Sequence, residues 1–140
     1  MIRNVLVDTG PLVALLNRHD HFHAWAKEQA AHCESPLATC EAVLTEACHL
    51  LREIDGGSER LMDLIRRGLL VLPFLLRDDH DSVAALMRRY SDVPMSLADA
   101  CLVRMSEQIT GSTVFTLDND FRIYRQHGRR AIPLLIPKRV

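Results

Sequence analysis

The stretch Val5-Leu6-Val7-Asp8-Thr9-Gly10-Pro11 constrains the fold of this chain more than any other. Its apolar run shows no polar alternation, which suits a strand covered on both faces, as in a parallel sheet. Gly10 is expected to let the backbone turn sharply, and Pro11 fits the first position of a helix through Leu12-Val13-Ala14-Leu15-Leu16. Asp8 then stands at the carboxyl end of the first strand, where open α/β sheets bind ligands.

The rest of the chain alternates in the same way. Asn17 and Arg18 close the first helix, and Asp20 reads as the cap of a second, His21 to about Ala31, with Phe22, Trp25, Ala26 and Ala30 as its apolar set. Pro36 to Thr39 reads as a second strand. A third helix is expected from about Cys40 to Ile54, with Val43, Ala47, Leu50, Leu51 and Ile54 as its stripe and Gly56-Gly57 stopping it. Ser58 should cap a fourth helix that ends at Gly68. Leu69 to Leu72 is the next strand. Asp78 or Asp79 should open a fifth helix to Tyr90, and Ser96 a sixth, Leu97 to about Gln108. Thr113 to Leu117 is a fourth strand that leads into Asp118. Phe121 to Gln126 reads as a short helix, and Ile132 to Ile136 as an edge strand, because Pro133 removes a ladder donor. Strands alternating with helices imply an α/β protein with a parallel sheet. Residues 1–140 form one expected domain without a linker.

Composition narrows the class. The 140 residues are 48% hydrophobic and 25% charged, a globular balance. No apolar run nears the ~20 residues of a membrane helix, and Asp8 and Thr9 interrupt the only apolar stretch that a signal peptide could use. A cytoplasmic protein, with no membrane association, is therefore expected. Cys33, Cys40, Cys48 and Cys101 form no CxxC pair and are expected as free thiols, mostly buried. Net charge is −1, but no acid follows Asp120, while Arg122, Arg125, Arg129, Arg130, Lys138 and Arg139 do. Arginine matches phosphate bidentately, so this tail is a candidate contact for RNA; a solvated basic face is the plainer reading.

Four acids stand where chemistry would need them. Phosphodiester hydrolysis needs charge neutralised on the phosphate, which a carboxylate cluster holding Mg²⁺ or Mn²⁺ achieves. Asp8 and Asp118 each follow an apolar strand, at one edge of the same sheet. Asp8 is also placed to favour a helix dipole, and Asp118-Asn119-Asp120 is also a turn sequence. Asp99 completes a capping box with Ser96, and a helix starting at the strand edge would still aim it into a cleft. Glu46 lies in mid-helix, bordering the apolar stripe, where a charge is costly without a partner.

The segments Val5 to Gly10, Val43-Leu44-Thr45-Glu46 with Leu50-Leu51 behind it, Ser96-Leu97-Ala98-Asp99-Ala100, and Val114 to Asp118 with Asp120-Phe121 resemble, in their order and over a chain of this length, the PIN-domain ribonucleases of the VapC-like toxin type. The resemblance spans the whole chain. It implies a PIN-like three-layer α/β/α fold, a central parallel sheet of about five strands, and a carboxylate-lined Mg²⁺ or Mn²⁺ pocket. Asp8, Glu46, Asp99 and Asp118 are the implied catalytic and metal-binding acids. Asp8 and Asp99 would be the most direct ligands, with Asp118 and Glu46 holding the metal or its waters. Thr9, Thr116 and Asp120 would assist from behind, and Asp120 or Asp92 are the alternates for Asp118 and Asp99. The implied function is that of a metal-dependent endoribonuclease, the toxin of a toxin–antitoxin pair. RNA is the implied substrate, with a cognate antitoxin and a second copy of the chain as protein partners.

Other signals carry less. His19, His21 and His23 suggest zinc, but Asp20 interrupts their helical register and a solvated helix start explains them. His49 reads as a packed or surface side chain. The cysteines lack a paired histidine, and no GxxxxGKS/T or GxGxxG stretch implies a nucleotide cofactor. Arg66-Arg67 and Arg88-Arg89 read as solvated helix faces. The alternatives to the nuclease are a non-catalytic PIN-like module binding RNA or antitoxin, and a phosphomonoester hydrolase using Asp8. The latter chemistry usually needs a second acid two residues on, where this chain has Gly10.

Overall fold

A computed structural model describes all residues, 1–140. Its centre is a five-stranded parallel sheet in the order β3-β2-β1-β4-β7. The strands are β1 (Val5–Val7), β2 (Leu37–Ala38), β3 (Leu70–Val71), β4 (Thr113–Phe115) and β7 (Leu134–Leu135). Side chains alternate faces along a strand, yet Val5, Leu6 and Val7 are all buried. Both faces of β1 are therefore covered, giving the α/β/α layering that the unbroken apolar run predicts.

The helices are α1 (Thr9–Leu16), α2 (His23–Ala31), α3 (Glu41–Leu50), α4 (Gly57–Arg66), α5 (Leu76–Arg89) and α6 (Leu97–Gln108). Helices α1 to α4 pack on one another, and α5 packs on α6, which touches β1 and β4. Leu6, Leu12, Leu61, Leu102 and Phe115 are fully buried in the core, each stabilising the fold by roughly 1.5–3 kcal/mol through area removed from water.

Several boundaries differ from the sequence reading, each for a visible reason. Helix α1 begins at Thr9, so Pro11 occupies its third position, where the missing N–H still has no helical partner to lose. Gly10 has no left-handed backbone; its lack of a Cβ leaves room for the Leu117 side chain, which a Cβ would approach to 3.1 Å, a tight contact. The Asp20 carboxylate accepts from Phe22 N (2.8 Å) in a turn, and α2 starts three residues after Asp20. Helix α3 stops at Leu50, which is 54% exposed rather than part of the buried stripe; Leu51 turns inward instead. Gly56 adopts the left-handed conformation (φ 67°) and precedes α4, so Ser58 lies inside that helix. Helix α5 begins at Leu76, ahead of Asp78 and Asp79, which sit in its first turn.

The largest departure follows Asp118. In place of a helix from Phe121 to Gln126 there is a short 3-10 turn, Asn119–Arg122, and then an antiparallel hairpin of β5 (Arg125–Gln126) and β6 (Arg130–Ala131). His127 and Gly128 make the reversal with positive φ, 51° and 77°. Arg89 is not a freely solvated side chain: its guanidinium donates to Gly128 O (2.7 Å) and lies over the Tyr90 ring. The edge strand β7 keeps its place because Pro133 contributes only a carbonyl, which accepts from Val114 N (2.9 Å).

Candidate active site

From β1 the chain moves outward through β2 and β3, then returns to lay β4 on the other side of β1. The β1–β4 boundary is thus the point where strand order reverses, and in open parallel sheets a crevice opens there beyond the carboxyl ends. Asp8 leaves β1 at that point, and its amide donates to Phe115 O of β4 (2.9 Å). Asp118 leaves β4 at the same edge. The resulting cleft has a volume of about 690 Å³, and Asp8, Glu46, Asp99, Asp118 and Asp120 all line it. Asp92 does not line it and is exposed.

Asp8 is only 6% exposed, and its two oxygens are separately fixed. Oδ1 accepts from Thr9 N (2.8 Å), the first amide of α1, and Oδ2 accepts from the Thr116 hydroxyl (2.7 Å). Thr116, fully buried, in turn accepts from Asp118 N through Oγ1 (2.9 Å). One hydroxyl therefore ties the acid of β1 to the loop that carries the acid of β4. Asp118 Oδ1 accepts from Asp120 N (2.9 Å), closing the turn, and Oδ2 remains free.

Asp99 arrives from α6. Ser96 and Asp99 form the full capping box, Ser96 Oγ accepting from Asp99 N (3.0 Å) and Asp99 Oδ2 from Ser96 N (3.4 Å). The same Oδ2 accepts from the Tyr124 hydroxyl (2.9 Å). The cap and the cleft use one side chain. Glu46 comes from α3 and is exposed at the rim, not set against the buried face as its spacing suggests. Its Oε2 accepts from the Thr9 hydroxyl (2.9 Å), so Thr9 links two of the acids by its amide and its side chain.

Electrostatically the cleft is one-sided. None of these five acids forms an ion pair with Lys, Arg or His. Burial pushes the Asp8 carboxyl up to about 7, against the two hydrogen bonds that favour its ionised form, and the charges of Asp99 and Asp118 push the same way. Burial also raises Asp99, and raises Asp120 with help from Asp118. Like charges crowded without a cation are a common mark of a functional site.

The donor set fits a hard divalent cation. Its free atoms are carboxylate oxygens, with no sulfur or imidazole among them. No three of the acids close on one point as a ready-made cage. Mg²⁺ does not require such a cage, since it keeps several waters and is commonly held by one or two carboxylates plus substrate phosphates.

The fold and the acidic crevice define a class of α/β proteins with a carboxylate site at the switch point of a parallel sheet. The chain belongs to the PIN domain family, which matches residues 5–126. Among solved structures it is similar to VapC20 of Mycobacterium tuberculosis, described as a sarcin–ricin loop cleaving toxin. The TM-score is 0.69 at 23% identity, over 84% of this chain and 92% of that one. Among curated proteins no relative matches. No helix is long and apolar enough to cross a membrane.

Two residues at the site lay outside the sequence reading. Thr39, fully buried, donates from its hydroxyl to Val7 O (2.8 Å), bracing the end of β1 just before Asp8. Its place at the end of β2 was a usable signal. Tyr124 had no such signal, because its approach to Asp99 depends on the hairpin that the sequence concealed.

Proposed function

We propose that this chain is a metal-dependent endoribonuclease that hydrolyses RNA phosphodiester bonds, and that it is the toxin of a toxin–antitoxin pair. The observation that carries the reading is the convergence of Asp8, Glu46, Asp99 and Asp118 on one cleft with no protein cation to balance them. Membership of the PIN family supports it, as does the likeness in fold to a toxin described as cleaving the sarcin–ricin loop.

In this reading Asp8 and Asp99 hold Mg²⁺ or Mn²⁺, with Asp118 and Glu46 toward the metal or its waters. When bound, the cation neutralises developing charge on the phosphate and makes water a competent nucleophile. The protein's own groups do the positioning. Thr116 fixes Asp8 against the Asp118 loop, and Thr9 fixes Glu46. Asp120 shapes the turn that presents Asp118. Arg129 and Arg130, exposed on the hairpin and paired with no carboxylate, are the proposed grip on RNA phosphates, together with Arg125. An antitoxin and a second copy of the chain are the proposed protein partners, and the cytoplasm is the proposed location.

The test is cleavage of end-labelled RNA by purified protein with Mn²⁺, with Mg²⁺ and with EDTA. The proposal expects cleavage in the first two and none in the third, and loss of cleavage in Asp8→Asn. The exposed Arg129 and Arg130, paired with no carboxylate, also fit one second reading, a PIN-like module that binds RNA or antitoxin without cutting. That reading expects no metal-dependent cleavage after any partner has been stripped away.

A further inference from the structure

Resting on the reading of the cleft as a divalent-metal site, we infer that Tyr124 is a positioning residue that sets which oxygen of Asp99 faces the metal. Tyr124 is fully buried, and its hydroxyl donates to Asp99 Oδ2 at 2.9 Å. The only other donor to this carboxylate, Ser96 N, lands on the same oxygen at 3.4 Å. Oδ1 therefore has no partner in the protein. No buried side-chain oxygen or nitrogen lacks a partner, so Oδ1 is open to the cleft. A carboxylate held by one oxygen and open at the other cannot spin freely, and its free oxygen has a defined direction. Asp8 is built differently, with a donor on each oxygen. Of the two acids proposed as direct ligands, Asp99 is thus the one with a wholly unshared oxygen, and Tyr124 supplies the shorter of the two bonds that orient it.

The ring of Tyr124 is itself fixed. It packs edge-on against Tyr90 (centroids 5.0 Å apart) and Phe121 (5.2 Å). Phe121 belongs to the 3-10 turn that begins at Asp118. The turn that presents Asp118 therefore also seats the phenol that orients Asp99, so two acids from distant parts of the sequence are aligned by one short segment. Tyr90 offers a natural contrast. It is a tyrosine packed edge-on against Tyr124, but its hydroxyl accepts from Arg125 N (3.0 Å) and makes no hydrogen bond to an acid of the cleft.

Outer-shell partners of metal ligands typically contribute 10–100-fold in affinity. The experiment is calorimetric titration of the full chain with Mn²⁺ in the absence of RNA, for wild type, Tyr124→Phe, Tyr90→Phe and Asp99→Asn, with Tm recorded for each. Tyr124→Phe keeps the ring, so the fold is retained. The expected result is Mn²⁺ affinity about 10-fold weaker in Tyr124→Phe, weaker still in Asp99→Asn, and equal to wild type in Tyr90→Phe even where its Tm falls. Wild-type affinity in Tyr124→Phe, or equal weakening by Tyr90→Phe, overturns the role of Tyr124 while leaving the metal site standing. No Mn²⁺ binding by wild type overturns the metal site, and this inference with it.

Discussion

Two groups of carboxylates in this molecule behave in opposite ways. On the α5–α6 face, Arg104 pairs with Asp79 (3.0 Å) and Glu107 (3.3 Å), and Gln108 also donates to Asp79 (2.8 Å). The hydrogen bonds from Arg104 and Gln108 hold Asp79 below the ordinary carboxylate range. In the cleft, Asp8 has hydrogen bonds but no cation, and burial drives it up to about 7. In the first group each acid has a cation beside it, and the Arg104–Asp79 pair joins α5 to α6. The second has no cation of its own, and the burial of Asp8 without one is what the proposed metal would relieve.

The largest expected effect separates the two groups by activity. Asp8→Asn should reduce Mn²⁺-dependent RNA cleavage by a factor on the order of 10³ or more, since in the proposed reading Asp8 holds the cation that neutralises charge on the phosphate. Asp79→Asn should leave the rate within about twofold, because that acid faces another helix. Rates on one labelled RNA check both, and equal losses would erase the distinction.

The next contrast is in stability without metal. Asp8 has a folded pKa above its unfolded value of 3.8, so its penalty is absent below about pH 4, grows as pH rises, and is complete above about 7. Asp8→Asn should therefore compare more favourably with wild type in metal-free Tm at pH 7.5 than at pH 4, because the burial penalty it removes exists only at the higher pH while the hydrogen bond its amide cannot accept is lost at both. Asp79 has the opposite sign. Its pairing contributes above its unfolded pKa and is lost as pH falls through the lower folded value. Asp79→Asn should lower stability at pH 7.5 by less than about 1 kcal/mol, and hardly at all once the pH falls below the lowered folded value. Thermal melts in chelator from about pH 8 down to about pH 2 report both, the Asp8 change falling between about pH 4 and 7 and the Asp79 change below about pH 4.

A third variant sharpens the role of the basic hairpin. Replacing Arg129 and Arg130 together by Ala should weaken RNA binding several-fold and flatten its salt dependence, by about 1 in log–log slope for each phosphate left without its arginine. Mn²⁺ affinity should not change, because neither guanidinium pairs with an acid of the cleft. Ser96→Ala, which removes half of the capping box, should cost about 1 kcal/mol of stability.

The sequence exposes those parts of the site that depend on local pattern. An unbroken apolar run before Asp8, another before Asp118, and a Ser-x-x-Asp start to α6 are each readable within a few residues, and all three acids lie where that reading puts them. Features set by non-local contact were not readable. Gly10 makes room for Leu117, more than a hundred residues away, and does not make a left-handed turn. Leu50 keeps the helical spacing of a core residue but faces outward, because α3 ends there. The segment after Asp118 has the composition of a short helix, yet the reversal at His127-Gly128 makes it a hairpin and brings Tyr124 under Asp99. Glu46 shows both sides: its position in α3 is local, but its link to the site is the Thr9 hydroxyl, 37 residues away.

The central claim is that the unbalanced acids of the cleft are a divalent-metal site. Anomalous scattering from crystals soaked in Mn²⁺ tests it most directly. The account predicts one strong peak in the cleft within coordination distance of Asp8 and Asp99, and none at Asp79, whose charge Arg104 already balances. A cleft without a peak at millimolar Mn²⁺, or a peak at Asp79 in its place, would contradict it.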